Sequence, residues 1–292
     1  MSKAMLALIK MALLLCAIAM FASGGLPAFG QAGVKPAPIS TPTPADIHAG
    51  ATLKSVDSSL PDDPAVDKML EAYAPKVRAL SEVIGKLQGD LVKGGIGAGS
   101  MGNFVADAIR DRAQVKIGKP VLLAITNSGG LRKNSIPEGD LKVSDIFEVL
   151  PFENALVTLD LTGEQLLRFM HIVLSNRDAQ SGGRIIFRNN DQKVNEIVSV
   201  KLRLDGQEKE IDPKANYTIV TIDYLVKRGG EYSILQEAKN MLPLNITLRD
   251  AVIEYVKAET AAGRVIKTTL DGRFSQDKQA GGGPQPGTEK PQ

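Results

Sequence analysis

Thr162-Gly-Glu-Gln-Leu-Leu-Arg-Phe-Met-His-Ile-Val-Leu174 carries a clear helix signal in this 292-residue chain. Thr162 and Gln165 have the spacing of a capping box, in which each side chain accepts a hydrogen bond from the other residue's backbone N–H. The apolar residues that follow recur at helical spacing, at positions 166, 167, 169, 170, 173 and 174. The pattern predicts an amphipathic helix that packs one face against a core.

Further along the chain, the stretch 197–204 has the period of a β-strand. One predicted face carries Val198 and the other apolar residues at 200, 202 and 204, while the opposite face carries the polar residues at 199, 201 and 203. Asp205-Gly206 then favours a hairpin turn. A helix pattern and a strand pattern in one segment indicate a fold that contains both elements.

Other elements extend this mixture in both directions. The apolar spacing predicts a helix over 64–84 that Pro75 kinks or divides, and Asn103 is expected to cap a helix that runs through Arg112. Short strands are predicted at Val121–Ile125 and Tyr217–Ile222, and a helix at 247–256. These elements predict an α/β (α+β) sandwich in which mixed sheets are layered with helices.

The two ends of the chain lack the pattern of a packed domain. Residues 1–30 are typical of a secretory signal peptide, with lysines before an apolar run and small residues after it; a retained membrane anchor is the alternative. Residues 31–62 are interpreted as a Pro-rich linker, and residues 278–292 as a disordered tail. The folded domain is therefore predicted at 63–277, in a protein exported to the periplasm or the cell exterior.

Composition argues against several kinds of function. The 35 basic and 33 acidic side chains give a net charge of +2, without the basic stripe that a nucleic acid polymer needs. Two histidines, His48 in the linker and His171 on the predicted helix, cannot supply the clustered ligands of a dinuclear metal centre. His171 is expected to be a half-buried helix side chain. Cys16, the single cysteine, lies in the signal peptide. We therefore predict no catalytic residue, no metal ligand and no cofactor in this chain.

Four separated segments carry motifs in a definite order. They are Met101-Gly-Asn-Phe-Val-Ala-Asp-Ala108, Ile125-Thr-Asn-Ser-Gly-Gly-Leu-Arg132, Leu150-Pro-Phe-Glu-Asn154 followed by Asp160-Leu-Thr-Gly-Glu-Gln-Leu166, and Asp223-Tyr-Leu-Val-Lys-Arg-Gly-Gly-Glu231. Their order and spacing resemble the C-terminal domain of the 5'-nucleotidase family, which also includes UDP-sugar hydrolases and 2',3'-cyclic phosphodiesterases. The resemblance covers nearly the whole predicted domain.

The resemblance implies a division of roles. In that family an N-terminal metallophosphatase domain holds two metal ions, and the C-terminal domain supplies the pocket for the base, the sugar and the phosphate. This chain matches the second part, so we expect an exported nucleotide- or nucleoside-binding domain. Hydrolysis would then need a separate metallophosphatase subunit that holds the divalent metal pair. The alternatives are a module that only binds its ligand, and a degenerate fold kept as an interaction scaffold.

The resemblance also implies two stacking residues. Phe152 matches the family's first base-stacking aromatic residue, and Tyr224 matches the second. Two rings on loops from different elements can enclose the face of a base, at about 1–3 kcal/mol for each stacked base. The alternative is that both rings simply fill the core.

Polar contacts are implied at four further positions. Asn127 and Asn154 match amide contacts to the nucleoside, although Asn is also an ordinary turn residue. Gly129 permits the backbone to approach a ligand closely. Arg132 matches an arginine that faces the ribose and phosphate, and its planar fork suits a phosphate; an exposed, solvated charge is the alternative.

Two segments depart from the family's pattern. Gly94-Gly-Ile-Gly-Ala-Gly-Ser100 stands where the family carries an Arg-Glu pair, so one phosphate-binding arginine is missing. Gly229-Gly-Glu-Tyr232 replaces Gly-Gly-Asp-Gly, and one extra residue follows Tyr224. Glu231 is therefore expected to take the place of the family's Asp and to accept a hydrogen bond from a ribose hydroxyl, although its side chain is longer.

Overall fold

The computed structural model describes residues 53–277 apart from 191, 193 and 205. The signal peptide, most of the linker and the tail lie outside the described residues. Contacts within the chain divide it between Pro61 and Asp62, and the domain limits of 63–277 stay a prediction. Within the described part of the chain, no helix is both long and apolar enough to cross a bilayer.

Helices and strands alternate along the described part of the chain after Pro61. The helices are α1 Pro64–Glu71, α2 Ala74–Leu80, α3 Gly99–Ile117, α4 Val143–Val149, α5 Gly163–Ser175, α6 Asp223–Arg228 and α7 Leu248–Ala261. The strands are β1 Val83–Gln88, β2 Leu91–Val92, β3 Leu123–Thr126, β4 Ser135–Ile136, β5 Gly139–Lys142, β6 Ala155–Thr162, β7 Ala179–Ser181, β8 Gly183–Asn189, β9 Asn195–Leu204, β10 Gln207–Glu210, β11 Asn216–Ile222, β12 Lys239–Thr247, β13 Ile266–Lys267 and β14 Phe274–Gln276.

The strands form sheets of mixed direction. The central sheet has five strands in the order β12-β6-β11-β3-β7, and a four-stranded sheet has the order β10-β9-β8-β14. In the central sheet β3 runs parallel to β11, whereas β6 runs antiparallel to it. Smaller sheets join β13-β1-β5 and β2-β4. The predicted fold class, mixed sheets with helices, is confirmed.

The capping box predicted before α5 is present. Thr162 Oγ1 accepts a hydrogen bond from the Gln165 N–H at 3.2 Å, and Gln165 Oε1 accepts one from the Thr162 N–H at 2.9 Å. Two otherwise unpaired backbone donors at the start of the helix are thereby satisfied. The apolar face of α5 is buried, with Phe169 fully enclosed, so the sequence pattern places this helix correctly.

Two helix boundaries differ from the sequence predictions. The segment predicted as helical over 64–84 is divided near Pro75 as expected, but it ends at Leu80, and Ile84 belongs to β1. Pro75 stands in the first turn of α2, where its missing N–H costs nothing. Helix α3 begins at Gly99 rather than at Asn103, whose side chain is buried within the helix. The N-cap position falls at Ala98, five residues before Asn103, because the glycine-rich approach supplies the left-handed backbone that starts α3 early.

The strand predicted at 197–204 is correct in place but wrong in one side chain. Val198 is exposed, whereas Val200 and Leu202 are buried as predicted. The pairing of β8 with β9 shifts register between Ile186 and Phe187, which face positions 199 and 197. Val198 is therefore the extra residue of a β-bulge, and a bulge interrupts the strict alternation of faces.

Candidate functional site

The strand directions bring the predicted loops to one edge of the central sheet. β6 starts where the antiparallel β11 ends, with Leu156 opposite Ile222. β3 ends at the same edge because it runs parallel to β11, and β7 begins there because Ala179 pairs with Thr126. The loops 127–132, 150–154 and 223–232 and the start of β7 therefore meet at this edge. We call this arrangement the sheet-edge site.

Phe152 and Tyr224 lie at the ends of two neighbouring strands, Phe152 on a loop as expected and Tyr224 in the first turn of a helix rather than on a loop. Phe152 precedes β6, and Tyr224 follows β11 at the start of α6. The Phe152 residue is 47% exposed and Tyr224 is 43% exposed. Rings that fill a core are normally excluded from water, so this degree of exposure argues against a purely structural role for both rings.

Arg132 lies beside Phe152. The guanidinium carbon is 5.9 Å from the centroid of the Phe152 ring, within the range of a cation–π contact. The backbone N–H of Arg132 donates to the Val149 carbonyl at 2.8 Å, which holds the backbone of this loop at the end of α4. The guanidinium also approaches the Gly129 carbonyl at 3.4 Å. Its exposed side chain can therefore meet a ligand that lies against the Phe152 ring.

The two asparagines lie at the same edge but in different environments. Asn127 is buried, and its Oδ1 has no hydrogen-bond partner within the described residues. A Cβ at Gly130 would stand 3.1 Å from this oxygen, so glycine leaves room for the amide. Asn154 is half-buried, and its backbone carbonyl accepts a hydrogen bond from the Leu248 N–H at 2.7 Å. An unsatisfied buried acceptor lowers stability by about 1–3 kcal/mol. The side-chain oxygen of Asn127 therefore contributes no hydrogen bond to the fold within the described residues.

A hydrogen-bond network centred on the buried residues Asp178 and Tyr232 links two loops of the sheet-edge site. Asp178 accepts from the Ser128 N–H at 2.9 Å and from the Tyr232 hydroxyl at 2.5 Å. The Asn176 amide donates to the Tyr232 hydroxyl at 2.8 Å and to Glu231 at 3.0 Å. Glu231 is thus held by Asn176, and the loop at 127–132 is joined to the loop at 229–232. We call these five residues the Asp178 network.

Burial dominates the acid–base properties of this network. It raises the pKa of Asp178 to about 6, although the hydrogen bonds from Tyr232 and Ser128 and the charge of Arg228 act in the opposite direction. Burial and the neighbouring carboxylate also raise the pKa of the Tyr232 hydroxyl above its usual range. At neutral pH Asp178 is therefore mainly a carboxylate, and the Tyr232 hydroxyl that donates to it keeps its proton.

Sequence reasoning does not find Asp178, Asn176 or Tyr232 as part of the site. Asn176 and Asp178 follow α5 and look like residues of an ordinary helix-to-strand turn. Tyr232 stands out in the sequence only as a departure from the family's glycine. The signal that could have identified them is that Asn176 and Asp178 come directly before β7, a short buried strand.

Two further side chains hold the loops that carry the rings. Arg249 is buried, its guanidinium lies 4.1 Å from the Phe147 ring centroid, and it binds the Leu150 carbonyl and Glu153. It therefore fixes the loop that contains Phe152. Sequence reasoning assigns Arg249 no role, because a charged residue early in a helix is usually solvated.

Asp223 performs the same task on the other loop. Its Oδ1 accepts the Ala155 N–H at 3.0 Å, and its Oδ2 binds Lys227 at 2.7 Å. The carboxylate therefore ties the first residue of β6 to the start of α6, the helix that carries Tyr224. Asp223 therefore adds a side-chain link between the segments that carry Phe152 and Tyr224, beside the pairing of β6 with β11.

The glycine-rich departure at 94–100 packs closely beside α3. A Cβ at Gly97 would lie 2.4 Å from a carbon of the Phe274 ring, and a Cβ at Gly102 would lie 1.9 Å from the Gly97 carbonyl oxygen. The glycines are thus needed for close approach of the backbone. Just before them, Lys93 Nζ donates to the Leu131 carbonyl at 2.7 Å, which places an ammonium group beside the loop 127–132.

His171 lies exposed on α5 rather than half-buried, because it points away from the apolar face of that helix. Within the described ranges, no three His, Cys, Asp or Glu side chains are grouped so that they could hold a metal ion. His48 lies outside the described residues.

Comparisons with known proteins agree with the sequence motifs. A 5'-nucleotidase of Vibrio parahaemolyticus is 30% identical over 172 residues, which are 55% of this chain and 30% of that protein. The cell wall protein Lmo0130 of Listeria monocytogenes is 29% identical over 191 residues, 62% of this chain and 24% of that protein. The crystal structure of a 5'-nucleotidase precursor from Thermus thermophilus matches with a TM-score of 0.62 and 27% identity, over 75% of this chain and 44% of that one.

This chain therefore spans less than half the length of each of these relatives. The family model described as "5'-nucleotidase, C-terminal domain" matches residues 83–237, more than half of the 292 residues. The matched range contains every loop of the sheet-edge site. The chain belongs to the 5'-nucleotidase C-terminal domain family.

Proposed function

We propose that this chain is an exported domain that binds a nucleotide or nucleoside at the sheet-edge site. The observation that carries the proposal is the pair of exposed rings, Phe152 and Tyr224, at the ends of adjacent strands, with Arg132 beside Phe152. Exposed rings with a nearby guanidinium suit a ligand that has an aromatic base and a phosphate. Family membership supports the same ligand class.

Each polar group of the site has a role in this proposal. The base lies between Phe152 and Tyr224, and the amides of Asn127 and Asn154 offer the donor and acceptor that a base edge requires. Arg132 binds the phosphate, and Glu231 accepts a hydrogen bond from a ribose hydroxyl. No group in the site acts as a nucleophile, and the chain contributes binding rather than bond cleavage.

Calorimetry tests this proposal directly. The domain that begins near residue 53 is titrated with AMP, adenosine and UDP-glucose, and we expect saturable binding of at least one of the three. The absence of binding to all of them at millimolar concentration contradicts the proposal and favours the scaffold alternative.

We further propose that hydrolysis requires a separate metallophosphatase chain. Neither α1 nor α2 has a buried residue, and Met69, Tyr73 and Val77 are 62%, 59% and 59% exposed. Exposed apolar side chains on two consecutive short helices form a surface that a partner protein can cover. The alternative, a module that only binds its ligand, needs no partner for this face.

A paired assay separates these alternatives. The domain alone is expected to release no phosphate from AMP with added Mn²⁺, Zn²⁺ or Co²⁺, since the residues that the structure describes form no cluster of ligands for two metals. Metal-dependent turnover that co-purifies with the domain and survives His171→Ala contradicts this expectation. Activity that appears only when a metallophosphatase chain is added supports the split enzyme.

Export is proposed from the N-terminal pattern at 1–30 and from the relative whose name places it in a cell wall. The test is mass spectrometry of the protein recovered from the cell envelope and medium. A chain that begins near residue 31 supports cleavage of a signal peptide, whereas an intact N-terminus in the membrane fraction supports the retained anchor.

A further inference from the structure

A second polar cleft lies at the opposite edge of the central sheet from the sheet-edge site. It has a volume of about 220 Å³ and lies between α3, the turn from β7 to β8 and the segment before β14. Its charged lining residues are Asp107, Arg110, Arg184, Arg203, Glu208, Asp271 and Arg273. We call it the arginine cleft. It is about 13 Å from Asp178 along β7, at about 3.3 Å for each residue.

Two of the four arginines are occupied by carboxylates. Arg273 donates to both oxygens of Asp107 at 2.9 Å and to Asp271 at 2.8 Å. Arg184 donates to Glu208 at 2.8 Å. These three carboxylates are the acidic residues of the lining, so their hydrogen-bonding capacity is directed largely toward Arg273 and Arg184.

Arg110 and Arg203 are different, because neither donates a hydrogen bond to a carboxylate within the described residues. Arg110 uses its Nε to bind the Val121 carbonyl at 2.9 Å, which leaves its two terminal nitrogens available. Burial lowers the pKa of Arg110, and so do the charges of Arg273 and Arg203, against the opposing effect of Asp107. With four guanidinium groups and three carboxylates, the lining carries one positive charge in excess.

Gly182 lets Arg110 lie against the backbone of the turn. Its φ is +101°, and a Cβ there would stand 2.1 Å from the Leu122 carbonyl oxygen and 3.0 Å from Arg110 Cζ. A side chain at this position would therefore displace both the strand and the guanidinium. The turn and Arg110 form one close-packed wall of the cleft.

We propose that the arginine cleft binds an oxyanion of the phosphate class between Arg110 and Arg203. A guanidinium group presents paired N–H donors that match the oxygens of a phosphate, and such charge-assisted hydrogen bonds are stronger than neutral ones. Inorganic phosphate fits within 220 Å³, and pyrophosphate is the larger member of the class to try. This inference does not depend on nucleotide binding at the sheet-edge site.

The test is a titration of the domain with inorganic phosphate and with pyrophosphate at constant ionic strength, followed by NMR of the backbone amides. We expect saturable shifts at Gly182 and Gly183. Arg203→Gln should weaken binding about tenfold through loss of a charge-assisted contact, and its exposed position should leave folding unchanged. Arg110→Lys keeps the positive charge but loses the paired N–H donors of the guanidinium group, and it should also weaken binding.

Two controls decide where and why the anion binds. Arg188 is an exposed arginine of the four-stranded sheet that also carries Arg203, but it lies outside the cleft and pairs with Glu196. Arg188→Gln should therefore leave binding unchanged. Phe152→Leu should also have no effect, which keeps the outcome separate from that of the sheet-edge proposal. Absence of binding at tens of millimolar phosphate overturns the proposal. An equal loss in Arg188→Gln, or a loss in Phe152→Leu without one in Arg203→Gln, overturns it as well.

Discussion

The Asp178 network and the pair of exposed rings lie at the same sheet edge but are held in different ways. Asp178 and Tyr232 are buried and joined by hydrogen bonds, whereas Phe152 and Tyr224 are 47% and 43% exposed. Removing a buried polar partner affects folding, while removing an exposed ring mainly affects what the surface can bind. The comparison indicates that stability and ligand binding at this edge reside in separate residues.

Asp178→Asn should produce the largest effect, on the pH dependence of stability. The pKa of Asp178 is about 6 in the folded protein against an ordinary value of 3.8, so the folded state holds its proton more tightly than the unfolded state. Its contribution to stability is therefore fully present below about pH 4 and is lost as the pH rises to about 6. At about 1.4 kcal/mol for each pKa unit, the loss is about 3 kcal/mol.

Urea unfolding of both proteins at pH 4, 5, 6 and 7 measures this difference. The free energy of unfolding of the parent, relative to that of Asp178→Asn, should fall across this range and level off above pH 6. Curves that stay parallel would show that Asp178 does not titrate in this window and that the network does not control it.

Tyr232→Phe should lower the free energy of unfolding by about 2–3 kcal/mol, because a hydrogen bond to a buried charged group is lost. The phenyl ring keeps the packing against Phe169, whose centroid is 6.4 Å away. Thermal unfolding at pH 7 gives the measurement. Tyr217→Phe, which removes a hydroxyl that binds the Asp212 N–H at 2.8 Å elsewhere in the fold, provides the matched control and should cost less. An unchanged Tm for Tyr232→Phe contradicts a structural role of the hydroxyl.

Phe152→Leu and Tyr224→Leu should each weaken nucleotide binding by about 1–3 kcal/mol, since a stacked base loses one covered face. Neither change should lower Tm appreciably, because both rings are exposed. Tyr224→Phe keeps the ring and should bind like the parent. Calorimetry and thermal unfolding on the same preparations decide the matter, and a fall in Tm of the size caused by a core cavity, with binding unchanged, would falsify the stacking role.

Arg132→Ala should have the smallest effect. It should reduce the preference for AMP over adenosine by about 1 kcal/mol or less, because Arg132 is exposed and solvent screens its charge. Adenosine binding should stay the same within error. Competition titrations of both ligands provide the measurement. If AMP and adenosine bind the parent equally well, Arg132 is a solvated surface charge and the phosphate is not recognised there.

The sequence identifies the rings but not the network beneath them. Phe152 and Tyr224 can be found because they stand in motifs with a fixed order, and a motif is local. Asp178 and Tyr232 are 54 positions apart along the chain, and no local pattern links an aspartate after one helix to a tyrosine after another. Their partnership depends on β7, which begins beside the end of β3, and on β11, which runs parallel to β3 and leads toward Tyr232.

Local patterns likewise predict elements better than their limits. The capping box at Thr162 places α5 correctly because both of its hydrogen bonds connect residues three apart. The predictions for Val198 and for the start of α3 are wrong because each depends on neighbours far away in sequence. Val198 is displaced by the register of β8 against β9, and the entry to α3 depends on Gly97, which packs against Phe274.

The sequence by itself determined the mixed α/β fold, the family and the identities of the loop residues, because periodicity, capping and motif order reside in neighbouring residues. The tertiary structure decided which of those residues share a surface. Strand order in the central sheet brought the ends of four strands to one edge. The packing of α3 beside the four-stranded sheet placed Arg110 and Arg203 in one cleft. Strand pairing joins residues that are far apart in sequence. The entropy lost in bringing them together is offset by their contacts only when the whole sheet forms.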